Sequence, residues 1–337
     1  MGSLASEAPS DWVLSEEQKA HFLEHGYIKV PACFTREEAA TFSKNLWPRL
    51  SMSPTDKSTW TGGERINMPW HNHIPVEEFA PKAWSAMCQL LGGDERIADG
   101  MWRSWSDGFI VNFGKEEYAA DAAKRESGKD RGEELRELDN WHNDGDFFVH
   151  FLDSQEQGLL VIPLWSDIEP RGGGTALACD GIKYIAQHLY EHPEGVTPWM
   201  RSVDDPTHDS YEGRDFWQSL AADKSKVRGS SIVEATGQIG DVFFLHPLML
   251  HSASKNELRN LRIITNPPVS LKEPFCFDRE DPSHYSLVEQ KTLRDLGKPE
   301  GLKGWKISKE RREWIPERVK NMDAMKKKEL ERLNSGS

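Results

Sequence analysis

The chain has 337 residues, 37% of them hydrophobic and 29% charged, and its 55 Asp and Glu against 42 Lys and Arg give a formal net charge of −13. That length holds one large domain or two ordinary ones with a substantial core, and the balance is globular rather than disordered. The acidity excludes a general binder of nucleic acid or of an anionic membrane surface, because polyanions are held by Lys and Arg, and no run approaches the roughly 18 apolar residues of a membrane span.

Cys33, Cys88, Cys179 and Cys276 are scattered with no Cys-x-x-Cys spacing, the usage of reduced thiols in an intracellular protein. The start "MGSLASEAPSDW" has no apolar core for a signal peptide, and the end "RLNSGS" carries no peroxisomal address. The expectation is a cytoplasmic protein.

In chain order, "SEEQ" from Ser15 and "TREE" from Thr35 both match the capping box that opens a helix, with "GYIKVPACF" extended between them. After Pro75, "VEEFAPKAWSAMCQLLGG" has helical spacing and a glycine stop. From about residue 96 the texture changes to short strands: 107–114, 147–152, 158–165, 175–179, 241–247 and 261–268. Residues 115–138 are highly charged and read as a solvated insertion, and 193–230 as a long excursion with a short helix near "RDFWQSLAA". From Ser308 a charged helix is expected to pack only through its few apolar positions. No internal repeat is visible. These elements imply one domain over 1–337, with an N-terminal helix and strand cover (about 12–95), a β core (about 96–270) and a C-terminal helical tail (about 283–335).

"WHNDGDFFVHFLDS" (141–154) puts His142 and Asp144 two residues apart. In an acidic chain with 12 histidines, chance alone supplies about two His-x-acid pairs, so the match needs context. The other such pair, His192-Pro-Glu194, lies in a turn-rich stretch that aligns nothing. An extended segment would instead send His142 and Asp144 into one cavity, with Asp146 and Phe148 further along that face. A third ligand is available in "GDVFFLHPLMLHSASKNELRNLRIITNPP" (240–268), where both His246 and His251 are candidates. Arg262 then falls inside an apolar strand, where it needs a carboxylate partner, internal or on a ligand. Two histidines with one carboxylate form the facial triad of non-haem Fe(II) oxygenases.

His142-Asn-Asp144, "GDVFFLHPLMLHSAS" and Arg262 together resemble the phytanoyl-CoA dioxygenase family of Fe(II)/2-oxoglutarate oxygenases, over roughly 100–270. The segment "PLWSDIEPRGGGTALACDG" is similar to that family's connection between its ligand motifs, although the usual "PGSH" ending reads "CDGI" here. The resemblance implies a mainly β fold with flanking helices around a double-stranded β-helix (jelly roll) core. It implies His142, Asp144 and His251 as metal ligands, with His246 as the non-ligand histidine before proline. Arg262 would hold the far carboxylate of 2-oxoglutarate with Thr175 as helper, and Trp165 and Asn140 match positions that contact this co-substrate. Fe(II) is the implied cofactor, with 2-oxoglutarate and O2 as co-substrates.

The substrate expected is a small molecule, a secondary metabolite or amino-acid-like compound, because the chain displays no basic patch or glycine cradle for the phosphates of an acyl-CoA. Asp146, Phe148, His73 and Trp102 are the candidate substrate contacts. His71-x-His73 with Glu77 also looks like a cupin metal signature without its glycine frame. The alternatives are therefore a non-catalytic, cupin-like metal-binding jelly roll, or an acyl-CoA hydroxylase. A homodimer is compatible with the sequence, and neither nucleic acid nor a membrane is an expected partner.

Overall fold

A computed structural model describes residues 12–123, 130–206, 215–314, 316 and 318–335. Both capping boxes form: Ser15 and Thr35 each accept the amide three residues on, opening helices Glu16–His25 and Arg36–Phe42. The apolar stretch after Pro75 breaks into two helices, Val76–Phe79 and Pro81–Leu91, because Pro81 takes the first turn of the second, and Gly92 stops it in a left-handed conformation.

Among the described residues twelve short strands follow in chain order: β1 (Tyr27–Val30), β2 (Arg65–Asn67), β3 (His73–Pro75), β4 (Ser104–Ser106), β5 (Ile110–Asn112), β6 (Leu159–Pro163), β7 (Thr175–Ala178), β8 (Ile232–Ala235), β9 (Val242–Leu245), β10 (Leu250–Ala253), β11 (Arg262–Ile264) and β12 (Pro268–Val269). They form antiparallel sheets in the orders β1-β9-β6-β12, β10-β7-β8, β11-β5-β2 and β3-β4. β6, β7 and β9 are buried along their whole length, which is why they read as continuous apolar runs rather than alternating ones. Most of the buried apolar side chains described, from Leu14 to Leu302, make one cluster, with Phe148, Val149 and Phe151 outside it. Within it Trp165 is ringed by Phe34, Phe42, Phe79, Trp105 and Phe109 at centroid distances of 4.7 to 6.2 Å.

The balance differs from the mainly β expectation: helix outweighs strand, 35% to 18%. Segment 147–152, expected as a strand, makes only isolated bridges, Phe148 to Glu313 and His150 to Val196. Its backbone is spent on irregular partners such as Arg312 and Val196. The charged insertion is not merely solvated. It carries helices Glu116–Ala123 and Arg131–Arg136, and the second buries Leu135 and Arg136, whose guanidinium donates to the carbonyls of Ala221 and Val227. The expected helix near 215 spans Asp215–Ala222.

The tail is interrupted rather than continuous. Helix Leu287–Asp295 ends well before helix Arg318–Ser335 begins. That last helix docks through polar groups, not only apolar ones. Buried Glu329 accepts from Arg49 Nε at 2.8 Å and pairs with His71 Nε2 at 2.9 Å. Arg49 also donates to the carbonyls of Asp107 and Pro69. Among the described residues no helix is long and apolar enough to cross a membrane.

Candidate metal centre

His251 sits on β10, and its backbone bridges to His142, which lies just outside any strand. The extended segment expected around His142 is therefore a single bridged residue, and the same-face argument for residues 142–144 acts through a turn. Gly145 makes that turn at φ +112°, and a Cβ there would lie 2.6 Å from His150 and 2.7 Å from Phe148. Only glycine lets the chain fold back against these rings directly after Asp144.

The three donor groups converge. Asp144 Oδ1 lies 3.5 Å from His142 Nε2 and 3.7 Å from His251 Nε2. Among the described residues, His142, Asp144 and His251 are the group of three whose ligand atoms all fall within 4.8 Å of one another. Ligands about 2.1 Å from a shared ion sit roughly 3 Å apart, so small side-chain rotations would close the set. Both rings are already aimed. His142 Nδ1 donates to the Asn140 carbonyl at 2.8 Å and His251 Nδ1 to the Met249 carbonyl at 2.9 Å, which leaves each Nε2 toward the centre.

The electrostatics agree with a cation site. Burial would raise the Asp144 carboxyl, but His251, His142 and the Asn266 amide at 3.2 Å hold it well below the usual carboxylate range. Burial, with His142 alongside, pushes His251 down to about 4, so its Nε2 lone pair is free at neutral pH. At His142 burial works downward, but the bond to Asp144 and its charge carry the imidazole above its ordinary value.

Arg262 belongs to another sheet and is 2% exposed. Its Nη2 donates to Thr175 Oγ1 at 3.1 Å, whereas its Nε and Nη1 are buried without a partner. Burial, reinforced by the charge of Arg65, pushes the guanidinium down to about 9, still cationic at neutral pH. Thr175 pairs with Ala253 and His251 with Leu177 across β7 and β10. His251 and Thr175 thus project from the same face as diagonal neighbours, roughly 7–8 Å apart at Cα. Arg262, with two guanidinium nitrogens unpartnered, is therefore tied to Thr175 on the strand face that also carries His251.

The remaining candidates divide. Asn140 is exposed and contributes its carbonyl to His142. Trp165 sits in the aromatic cluster, its Nε1 donating to Thr265 at 3.0 Å. Asp146 is half-buried, and Phe148 is buried and stacked on His150 behind Asp144. His73 is exposed against Trp70, and Trp102 is half-buried on the turn Gly100–Arg103. The rival pair is separated: His71 is bonded to Glu329, and Glu77 lies 3.7 Å from Arg103. His246 is a core residue, 2.9 Å from Thr292 Oγ1. Asn266 and Gly145 went unread in the sequence. Asn266 had a signal, since residues 262, 264 and 266 share a face of an extended chain.

No family model matches the chain, and no curated protein matches it. Solved structures do. HygX from Streptomyces hygroscopicus, with nickel and 2-oxoglutarate bound, is 11% identical over 77% of this chain and 88% of its own, with a TM-score of 0.40. SnoK, a non-heme alpha-ketoglutarate-dependent carbocyclase from nogalamycin biosynthesis, is 18% identical over 87% of this chain and 94% of its own, TM-score 0.39. EctD from S. alaskensis, with 2-oxoglutarate and 5-hydroxyectoine, is 15% identical over 75% of this chain and 76% of its own, TM-score 0.37. The chemistry of the site in this chain rests on its own residues.

Proposed function

We propose that the protein is a non-haem Fe(II)/2-oxoglutarate-dependent oxygenase of the phytanoyl-CoA dioxygenase type, built as one cytoplasmic domain on a double-stranded β-helix core and acting on a small molecule. The observation that carries the reading is Arg262. A buried guanidinium with two unpartnered nitrogens is costly unless an anion completes it, and Glu234, the acid whose charge reaches Arg262, is engaged with Arg131 and Ser254. The donor set of two neutral-capable imidazoles and one carboxylate fits Fe(II) and leaves positions for other ligands. The residues present fit both groups.

In this reading His142, Asp144 and His251 hold the metal, and Arg262 with Thr175 holds the distal carboxylate of 2-oxoglutarate. When bound, the iron supplies the oxidising chemistry, O2 being consumed as 2-oxoglutarate loses CO2 to give succinate and a C–H bond of the substrate is oxidised. The chain's own part is orientation: the backbone carbonyls of Asn140 and Met249 fix the ring tautomers, Asn266 steadies Asp144, and the apolar neighbours of Arg262 exclude water.

The test is titration of 2-oxoglutarate into iron-loaded protein, followed by the metal-to-ligand absorption band. Arg262→Lys keeps the charge but loses the planar fork, and should weaken binding by about 1.5–3 kcal/mol with metal affinity nearly unchanged. Replacing Arg259, a half-buried turn residue paired with Glu116 at 2.7 Å, should do little. Equal affinities in all three proteins would remove the co-substrate from the reading and leave a metal-binding protein.

A further inference from the structure

Arg65 lies on β2, the open edge of the β11-β5-β2 sheet. The register puts Arg65 opposite Asn112 and Asn112 opposite Arg262. Directly opposed residues in antiparallel strands share a face, so Arg65, Asn112 and Arg262 form one row on the face that carries the co-substrate arginine. Two strand spacings separate the arginines by about 10 Å. Asn67, two residues along β2, is on the same face, and both Arg65 and Asn67 are exposed.

The register therefore sets the Arg65 side chain on the same sheet face as Arg262, two strands away, with Glu64 directly before it in the chain. Arg65 makes no hydrogen bond or ion pair of its own among the described residues. Its neighbour Glu64 is turned to the opposite face, held by Tyr118 and by Lys115 at 3.0 Å. Two like charges in one row, without an acid between them, oppose each other, and the arrangement becomes favourable once anions lie along the row. Arg262 is buried and accounts for one anion. Arg65 is exposed and accounts for a second, arriving from solvent.

We propose that Arg65 is a specificity-determining residue that receives a carboxylate of the primary substrate at the mouth of the site. The proposal rests on the reading of the centre as a 2-oxoglutarate site. A single planar fork beside an amide side chain suits a carboxylate, whereas a phosphate dianion or the several phosphates of an acyl-CoA would call for more cations. In a chain of net charge −13, the overall field repels anions, so a small acid needs such a local cation to dock.

The experiment uses protein loaded with Mn(II) and 2-oxoglutarate, which fills Arg262 without turnover. Its probes are a panel of amino, aromatic and aliphatic carboxylic acids, each beside its own methyl ester, with binding read by thermal shift and titration. Wild type should bind at least one acid about tenfold more tightly than its ester. Arg65→Gln should reduce that preference to near one, Arg65→Lys should restore part of it, and affinity for 2-oxoglutarate should stay within about twofold, because a rim contact leaves the buried slot alone. A panel in which no acid outbinds its ester overturns the proposal. So does a loss of 2-oxoglutarate affinity in Arg65→Gln as large as in Arg262→Gln, which would make Arg65 a co-substrate contact. If wild type binds neither Mn(II) nor 2-oxoglutarate, the oxygenase reading fails, and the acid–ester comparison is still read on the unloaded protein.

Discussion

His142 and His251 exchange both of their backbone hydrogen bonds, each amide donating to the other's carbonyl at 2.9 Å. Their rings stand 4.3 Å apart as a result. The pair is a rung of antiparallel ladder between segments remote in sequence, and the main chain, not the side chains, sets its spacing.

His142→Ala should therefore keep that rung and the fold while losing the metal. Circular dichroism and the thermal midpoint of the metal-free protein should match wild type, and iron bound after dialysis should fall to background. His192→Ala, altering a ring paired with Glu194 at 2.8 Å, should retain full iron content. Equal iron in the two variants would mean that His142 is not a ligand.

Thr175→Val removes the hydroxyl that Arg262 bonds and keeps the shape. Affinity for 2-oxoglutarate should fall by about 1–1.5 kcal/mol, the scale of one hydrogen bond to a charged group. Isothermal titration against Mn(II)-loaded protein measures it, and an unchanged affinity would assign Thr175 to structure alone.

Acid should destabilise the protein through buried neutral histidines. Burial pushes His246 down to about 3 and His150 to about 4, against an unfolded value near 6.5. His246 has no room for a second proton: Nδ1 accepts the Leu248 amide at 3.1 Å, and Nε2 faces Thr292 Oγ1, whose hydroxyl donates onward to Val288. Both folded values are depressed and both groups bind protons more readily when unfolded. Their contribution is complete above pH 6.5 and lost as pH falls toward 4, at about 1.4 kcal/mol per pH unit for each group. Urea unfolding at pH 7.5 and 5.0 should show this slope, and His246→Gln should shrink it by one proton's share while lowering stability at pH 7.5.

Glu329→Ala leaves Arg49, 1% exposed, with Asp107 Oδ2 at 3.3 Å as its remaining carboxylate partner and His71 without its acid. Leaving a buried charge wholly unpaired costs about 3–5 kcal/mol; with Asp107 still in place the cost should fall below that range, and it should appear as loosening of helix Arg318–Ser335. Limited proteolysis should clip that helix in the variant and spare it in wild type. A variant as resistant as wild type would show that half-buried apolar contacts such as Met322 and Met325 hold the helix without the ion pair.

What the sequence made legible were local or patterned features. Hydroxyl-x-x-Glu/Gln spacing marked the helix starts at Ser15 and Thr35, and apolar runs marked β6, β7 and β9. The strand carrying His251 was missed because "LMLHSA" is too short and too uniformly apolar to show a period. Segment 147–152 misled in the other direction: its run of aromatic and branched residues suits a strand, but its backbone bonds go to isolated partners such as Arg312 and Val196. The docking of Glu329 on Arg49 and His71 could not be read, since no local pattern links residues that far apart. Arg65 gave no signal until register placed it in line with Arg262.

The bond from Arg262 to Thr175 also joins two sheets, β11-β5-β2 and β10-β7-β8, beside the bonds that Asn112 of β5 makes to Ser254 and Asn256 just past β10. Any molecule stretched from the histidine rung to Arg262 would act as a cross-brace between them, shared by elements that fold from distant parts of the chain. Ligand occupancy would then be written into backbone motion far beyond the contacts, slowing amide exchange along β5 and β11 as well as at the ligands themselves.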